Sequence, residues 1–498
     1  MVFPVKLKTV YDIIFIIILA VLYNLSFSPF DFKFTIYLSL IGYFFLIYNK
    51  EKTLAMKYSF IYGFFIYLIG VSWIFNSLYD YGGKNYILSS LMTFIFISLL
   101  ASFFILIGYI FNKDIRKYQK IILPAYVASL WTIIEILRSN ILGGFPWLLV
   151  GTSQVNFIYN NIFSLFGTYF ISFITVILSI IFFLILYERE KLYYLKYFLS
   201  IFLLVIFTNT LVFHKDMNKD KDLRVSIIQP NIKPTYKYNT KNLNEIKKVI
   251  YNMSKHSKDS DLIIYPETVI PELYDDKEDT YEKILSQEKK ILISGIFRKD
   301  TITNKIFNSM LVIGKNTSIY DKRKLVPFGE FTPFPKLFLP IASMLNIPMS
   351  NLSEGDSNSS EIILDKFIIH PLICYESAYP NLISQKDLSK PEVIVVLSND
   401  SWFGQSLAPY QHLQISQTRA LEFNKYILRA ANTGISAVID NHGNIKKTVE
   451  LNQRGHLNEI FRVKTGKTPY SRFGDYPILV LIFAIMISAL YLCKQNER

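Results

Sequence analysis

The run Lys215-Asp216-Met217-Asn218-Lys219-Asp220-Lys221-Asp222 divides the chain into two parts of different composition. Ahead of it, long apolar stretches alternate with short polar connections; behind it, short β-branched runs alternate with helical ones. A change this abrupt marks a domain boundary. Residues 1–214 read as a membrane domain with seven transmembrane helices, 215–222 as a linker and 223–470 as an α/β domain. Residues 476–492 read as an eighth transmembrane helix and 493–498 as a short tail.

The apolar stretches are Tyr11–Ser26, Phe34–Tyr48, Ser59–Leu78, Tyr86–Phe111, Ile121–Leu137, Asn161–Tyr187, Tyr197–Phe213 and Tyr476–Leu492. Several approach or exceed the ~20 residues that cross a hydrocarbon core, and the two shortest cross if tilted or extended by their flanks. A chain of 498 residues that is 51% hydrophobic and 16% aromatic carries more apolar residues than a water-soluble fold needs. No short cleavable leader precedes the first run, which therefore reads as a retained anchor.

Basic residues in the short connections set the orientation. One side holds fourteen, from Lys6 and Lys8 through Lys113, Arg116, Lys117 and Lys120 to Lys494 and Arg498; the other holds three, Lys33, Lys84 and Arg138. The richer side is expected in the cytoplasm, with both termini, and residues 223–470 outside it. The net charge of +14 is scattered between apolar runs and does not build a groove-lining patch, which argues against nucleic-acid binding. Anionic lipid is the better attractor. With only Cys374 and Cys493, so differently placed, a disulfide framework is not expected.

One connection stands out. Ser139–Tyr159 contains Gly143-Gly144-Phe145-Pro146-Trp147, a composition that suits either a re-entrant or interfacial segment or a structured loop closing two helices. Glu135 and Arg138, three apart on the preceding helix, are spaced to form an ion pair.

In the second part, Val225–Ile228, Leu262–Tyr265, Ile291–Ile296, Met310–Ile313, Phe367–Cys374, Val393–Leu397 and Ile435–Ile439 read as buried strands. The stretches Leu243–Lys258 and His412–Ala430 read as helices, giving an α/β sandwich. The Ser- and Asn-rich segment 350–360 reads as a mobile loop.

Polar residues succeed two of these runs, and a third follows Tyr320-Asp321 between them. Glu267 comes after Leu262–Pro266, Cys374 after Ile368–Ile373, and Lys322 after Tyr320-Asp321, where an α/β sheet places its binding crevice. Each taken singly has a plainer reading, as a turn carboxylate, a small buried hydrophobe or one of a solvated basic trio. Together they make a nucleophile, a base and a cation. A thiol attacks a carbonyl only as thiolate, and a partly desolvated carboxylate such as Glu267 is suited to take its proton. Lys322 and the backbone amide of Tyr375 are suited to stabilise the resulting oxyanion, with Glu330 and Glu376 orienting the lysine.

The words around these residues, Tyr265-Pro266-Glu267-Thr268, Lys322–Glu330 and Cys374-Tyr375-Glu376, resemble the Glu, Lys and Cys motifs of the nitrilase (carbon–nitrogen hydrolase) superfamily, in its membrane-bound apolipoprotein N-acyltransferase branch. Ser398–Gly404, Ala408–His412, Arg429–Gly434 and Gly144-Phe145-Pro146-Trp147 match as well, so the resemblance covers nearly the whole chain.

That resemblance implies eight transmembrane helices carrying an αββα nitrilase-like sandwich on the periplasmic side of a bacterial inner membrane. It implies that a phospholipid gives its acyl chain to Cys374 as a thioester, and that the α-amine of a diacylglyceryl-cysteine apolipoprotein then takes it. The runner-up is an amidase or thioester hydrolase with the same Glu267, Lys322 and Cys374 and water as acceptor. No cofactor or metal is expected: the six histidines lack ligand spacing, and His412 reads as structural. By resemblance Phe328, Phe331, Tyr375 and Trp402 line the mouth of the site. Tyr238 stands where the family usually has tryptophan and keeps an aromatic wall there.

Overall fold

A computed structural model describes residues 5–81, 83–111, 122–210, 221–257, 259–274, 290–332, 336, 351–357, 361–383 and 390–496. The linker residues 215–220, the basic connection 113–120, and positions 350 and 358–360 of the Ser- and Asn-rich segment lie outside the described residues. The chain divides into two compact units, one of Met1–Leu78, Asn85–Val212 and Phe473–Arg498, the other of Tyr79–Lys84 and Phe213–Arg472.

The first unit is helical: α1 (Val5–Leu25), α2 (Thr35–Ile47), α3 (Lys52–Val71), α4 (Ile74–Tyr81, whose last three residues cluster with the second unit), α5 (Tyr86–Ile110), α6 (Leu123–Asn140), α7 (Asn160–Tyr187), α8 (Lys191–Thr210) and, after the second unit, Tyr476–Asn496. Among the described residues α3, α5, α7 and α8 are long and apolar enough to cross a membrane, and Thr9–Leu25, Thr35–Ile47 and Tyr476–Leu492 are shorter apolar helices. The third run differs from its expected span: α3 begins at Lys52 and ends at Val71, and Trp73 Nε1 turns back to donate to the Gly70 carbonyl at 3.0 Å. Small residues let the helices approach, as an apolar solvent offers no hydrophobic drive between them. A Cβ on Gly63 would meet the Phe104 ring at 2.8 Å, and one on Gly108 the Ala55 carbonyl oxygen at 2.5 Å. Buried polar groups bridge the gaps: Ser39 Oγ donates to the Leu19 carbonyl at 2.6 Å and Asn24 Nδ2 to that of Ile66 at 3.1 Å.

The Gly-Phe-Pro-Trp connection folds as a packed loop held by α6. Among the described residues no ion pair joins Glu135 and Arg138. Both grip the loop backbone instead: Arg138 Nη1 donates to the carbonyls of Phe145 (2.7 Å) and Trp147 (2.6 Å), and Glu135 Oε1 accepts from Val150 N (2.8 Å) and Trp131 Nε1 (3.1 Å). The unsatisfied amides and carbonyls of a bent buried loop are stronger claims on these charges than a neighbour on the same helix.

The second unit contains two sheets. One runs β13-β1-β2-β4-β5-β6, with β3 (Leu273–Tyr274) alongside β4; its members are β1 (Lys221–Gln229), β2 (Leu262–Ile264), β4 (Ile291–Lys299), β5 (Ile306–Ile313), β6 (Thr317–Asp321) and β13 (Gly455–Val463). The other runs β12-β11-β10-β9-β8-β7: β7 (Ile362–Ile363), β8 (Ile368–Ile373), β9 (Glu392–Ser398), β10 (Ile427–Ala431), β11 (Ser436–Ile439) and β12 (Ile445–Val449). Alternate side chains face opposite ways along a strand. Val225, Ile227, Leu262, Ile264, Met310 and Val312 of the first sheet therefore share a core with Ile369, Ile373, Val393, Val395, Leu397 and Leu428 of the second. The intervening residues point outward. Ile228, Ile263, Leu292 and Leu311 meet Ile246 and Ile250 of α10 (Leu243–Ser254), while Leu372, Ile394 and Val396 meet Leu413, Ala420 and Phe423 of α11 (Ala408–Phe423). The result is the helix, sheet, sheet, helix order of an αββα sandwich.

The expected helix His412–Ala430 is two elements. α11 stops at Phe423 because Asn424 takes the left-handed conformation (φ +52°), and Ile427–Ala431 then becomes β10, pairing with β9 in parallel. The first and last strands lie side by side, Lys221 facing Val463 and Asp222 facing Arg462, and these last two form an ion pair at 2.7 Å.

Candidate active site

Sheet register brings the polar residues together. β1, β2 and β4 are parallel, so the segments leaving β1 and β2 emerge at one end: the short helix α9 (Pro234–Lys237) and the stretch carrying Glu267. β5 returns antiparallel to β4 and pairs with β6, with Ser309 facing Asp321; Lys322 N then donates to the Asn308 carbonyl at 2.8 Å. In the second sheet β8, β9 and β10 are parallel, so Cys374 after β8 and Asp400 after β9 emerge together.

Glu267, Lys322, Asn308 and Glu330 form one cluster. Lys322 Nζ lies 2.8 Å from Glu330 Oε1 and 3.6 Å from Glu267 Oε1. Asn308 Nδ2 donates to both carboxylates, at 2.7 Å to Glu267 and 2.9 Å to Glu330, and Glu330 Oε2 accepts from Val326 N at 2.9 Å. Glu267 Oε2 is buried and has no hydrogen-bond partner among the described residues. Burial raises the Glu267 pKa above the ordinary carboxylate value; Lys322 pulls it down, Glu330 pushes it up, and Asn308 and Lys237 lower it. Burial works against the Lys322 charge, but Glu330 and Glu267 outweigh it and hold its pKa well above that of a free lysine.

Cys374 sits at the tip of β8 with φ +52°, a left-handed conformation that costs a non-glycine residue about 1–3 kcal/mol. Its thiol is pushed far up by burial, with Glu267 adding to the shift, Lys322 opposing it and Asp400 adding again. The buried sulfur lies within electrostatic reach of both the carboxylate and the ammonium.

Among the described contacts Glu376 has none with the lysine side chain. It accepts from Tyr320 OH (2.9 Å), from the backbone N–H groups of Arg323 (2.7 Å) and Lys324 (3.1 Å), and from Ile373 N (2.8 Å). Two chain segments, the one after Lys322 and the one before Cys374, are thereby tied to a single buried carboxylate. Of the two carboxylates expected to orient the lysine, Glu330 alone contacts it among the described residues.

The aromatic candidates are half-buried, except Tyr375, which is buried. Phe328 has φ +61° and its N–H donates to the Phe331 carbonyl at 2.8 Å, closing a tight turn. Tyr375 OH accepts from Tyr379 OH at 3.1 Å. Within the same unit the ring of Tyr81 lies against that of Trp402, centroids 4.0 Å apart, and Tyr81 OH donates to the Ser401 carbonyl at 3.2 Å. Tyr238 is near enough to Glu267 that, after burial, this carboxylate is the largest influence raising its phenol.

Three groups escaped the sequence reading. Lys237 in α9 is buried and Nζ donates to Thr268 Oγ1 at 3.0 Å. Asn308 lies within a strand, where an amide gives no outward sign of its role. Behind Cys374, Asp400, His412 and Arg429 make a buried network: Arg429 Nη2 lies 2.7 Å from Asp400 Oδ2, and His412 Nδ1 3.0 Å from Asp400 Oδ1. The words Ser398–Gly404, Ala408–His412 and Arg429–Gly434 were the signal for this network, but spacing alone does not join them.

Two family models match the chain: apolipoprotein N-acyltransferase N-terminal domain over residues 19–181 and carbon–nitrogen hydrolase over residues 224–458. A protein named apolipoprotein N-acyltransferase from Coxiella burnetii is 33% identical over 433 residues, covering 86% of this chain and 89% of its own. Its namesake in Haemophilus influenzae is 31% identical over 497 residues, covering 95% and 93%. Among solved structures, a CN-hydrolase superfamily protein from Xanthomonas campestris aligns with 48% of this chain and 91% of its own, at 17% identity and a TM-score of 0.39.

Proposed function

Because the chain belongs to the apolipoprotein N-acyltransferase family, we propose that it N-acylates lipoproteins by a two-step transfer through Cys374. In the first step the Cys374 sulfur attacks the ester carbonyl of a phospholipid while Glu267 takes the thiol proton. The C–O ester bond breaks, the proton passes to the departing oxygen, and a lysophospholipid leaves behind a thioester. In the second step the α-amine of a diacylglyceryl-cysteine attacks that thioester and Glu267 takes an amine proton. The C–S bond breaks, an amide forms, and the sulfur regains its proton.

In both steps negative charge develops on the carbonyl oxygen, and Lys322 with the Tyr375 amide stabilises it. Glu330 keeps the ammonium aimed, Glu376 fixes the two segments that meet at the site, and Tyr238, Phe328, Phe331 and Trp402 line its mouth. The observation that carries this reading is the buried cluster of Lys322 with Glu267 and Glu330, at 3.6 and 2.8 Å, beside a cysteine held in a strained turn.

The apolar helices together with the asymmetry of basic residues support a multi-pass protein of the bacterial inner membrane, with eight spans, both termini in the cytoplasm and the catalytic unit in the periplasm. Incubating the purified full chain with phospholipid tests the chemistry. An acyl mass adduct is expected on the wild type and none on Cys374→Ala; an adduct surviving in that variant would remove Cys374 as nucleophile. Release of free fatty acid with no N-acylated peptide, when a lipopeptide is supplied, would favour the hydrolase instead.

A further inference from the structure

The carbonyl oxygen of Cys374 is gripped from the side chains behind it. Ser377 Oγ donates to it at 3.0 Å and His412 Nε2 lies 3.1 Å away, while Ser377 Oγ and His412 Nε2 are themselves 2.8 Å apart. A carbonyl only accepts, so the imidazole proton that reaches it belongs on Nε2. On the other side of the ring Nδ1 faces both Arg429 Nη2, at 2.9 Å, and Asp400 Oδ1, at 3.0 Å. That guanidinium also spans to Asp400 Oδ2, and Asp400 Oδ1, 3.0 Å from Nδ1, accepts from Ser398 Oγ at 2.6 Å. His412, Ser377, Asp400 and Arg429 are all buried to within about one percent of full burial. A network this enclosed and this well partnered holds one geometry.

In a trans peptide the C=O and the N–H point in opposite directions. Whatever fixes the Cys374 carbonyl therefore fixes the direction of the Tyr375 N–H on its far side. We infer that His412, braced by Arg429 and Asp400 and joined by Ser377, is a positioning residue that aims the Tyr375 amide at the oxyanion by holding the opposite end of the same peptide. This rests on the thioester chemistry proposed for Cys374. It assigns to a buried histidine a role in the transition state without contact with substrate.

The role predicts a selective defect. Acylation passes through a tetrahedral oxyanion and needs the amide; alkylation of the same sulfur by iodoacetamide is a direct displacement at carbon and forms no oxyanion. Glutamine at 412 keeps an N–H near the place of Nε2, whereas asparagine is too short to reach the carbonyl. In the full chain, His412→Asn is expected to slow acyl-adduct formation at saturating phospholipid by about tenfold to a hundredfold, toward the loss caused by removing an oxyanion donor. The phospholipid KM and the iodoacetamide rate should change by less than about twofold, and His412→Gln should recover most of the acylation rate. Ser377→Ala, which removes the second grip and leaves the imidazole network in place, should show the same selectivity with a smaller loss and serves if His412→Asn does not fold. Equal losses in acylation and alkylation would mean general distortion and overturn the inference, as would an unchanged acylation rate in both variants. A wild type that alkylates on Cys374 but takes no acyl group would instead overturn the thioester reading and this role with it.

Discussion

Lys237 reaches Glu267 through the backbone: its Nζ donates to the Glu267 carbonyl oxygen at 3.4 Å and to the hydroxyl of the next residue, Thr268, at 3.0 Å. Thr268 has φ +44°, a conformation that a β-branched residue adopts only when its surroundings impose it. The lysine thus fastens a strained peptide immediately beside the proposed base. Lys237→Met should slow adduct formation on Cys374 by about tenfold, the effect of a small displacement at the reacting centre. An unchanged single-turnover rate would show that the fastening is dispensable.

The same lysine makes a stability prediction. Burial pulls its pKa down to about 7, against the pull of the Glu267 carboxylate, whereas an unfolded lysine titrates near ~10.4. Between those values the unfolded chain binds more protons than the folded one, so folding becomes more favourable as pH rises and this contribution is lost as pH falls through about 7. Wild type should gain thermal stability relative to Lys237→Met as pH is raised from about 7 to about 10. Thermal unfolding of both chains across that window checks it, and a constant difference would contradict it.

Glu267 must be ionised to take a proton, and burial raises its pKa. Acylation should therefore fall on the acid side through a limb that lies above the ordinary glutamate value of ~4.3. Glu267→Gln should abolish adduct formation while leaving the unfolding transition in place. Single-turnover rates against pH decide the matter, since a limb at or below ~4.3 would place the proton elsewhere.

Glu330 is the closer of the two carboxylates to Lys322. Its removal leaves a buried ammonium whose remaining carboxylate partner among the described residues is at 3.6 Å, and breaking a buried pair costs about 3–5 kcal/mol. Because Glu330 itself is slightly exposed, with 13% of its side-chain surface accessible, we expect Glu330→Gln to cost about half that. Denaturant unfolding measures the loss. Adduct formation should fall at the same time, by about tenfold or more, since the ammonium is no longer aimed.

Glu267 and Cys374 could be picked out by eye because each follows an apolar strand whose end announces a change of character, whereas Lys322 follows the mixed strand Thr317–Asp321 and was singled out by the words around it. The strand β9 was equally plain as the run Val393–Leu397, but a run apolar at every position did not tell which residues face the other sheet, as Val393, Val395 and Leu397 do. Asn308 was not plain, since its partner Glu267 is 41 residues away and an amide in a strand has many uses. The end of α11 was missed because Asn424, an ordinary polar residue, supplies the left-handed cap that glycine more often signals. Glu135 and Arg138 had the right spacing for a pair, but the loop they hold lies ten or so residues ahead and makes its demand only once folded.

Gly295 on β4 is where the backbone around Glu267 comes closest. A Cβ there would lie 2.4 Å from Thr268 N and 2.5 Å from Glu267 Cα, both main-chain atoms that cannot swing aside. Gly295→Ala should displace the Glu267 segment, lowering the acylation rate by about a hundredfold and destabilising the unit by about 1–3 kcal/mol, as overpacking does. Wild-type kinetics in this variant would mean the segment has room that the geometry denies it.

The pairing of β1 with β13 has a consequence for how the chain enters and leaves the two sheets. With Lys221 opposite Val463, the start of the first strand and the end of the last lie about one strand spacing, ~4.8 Å, apart. Strand ends held this close leave little loop-closure entropy to be lost within the sheet itself. Because β1 and β13 are laced together from the pair Lys221 and Val463 to the pair Gln229 and Gly455, the sandwich ties its own first and last strands into one edge.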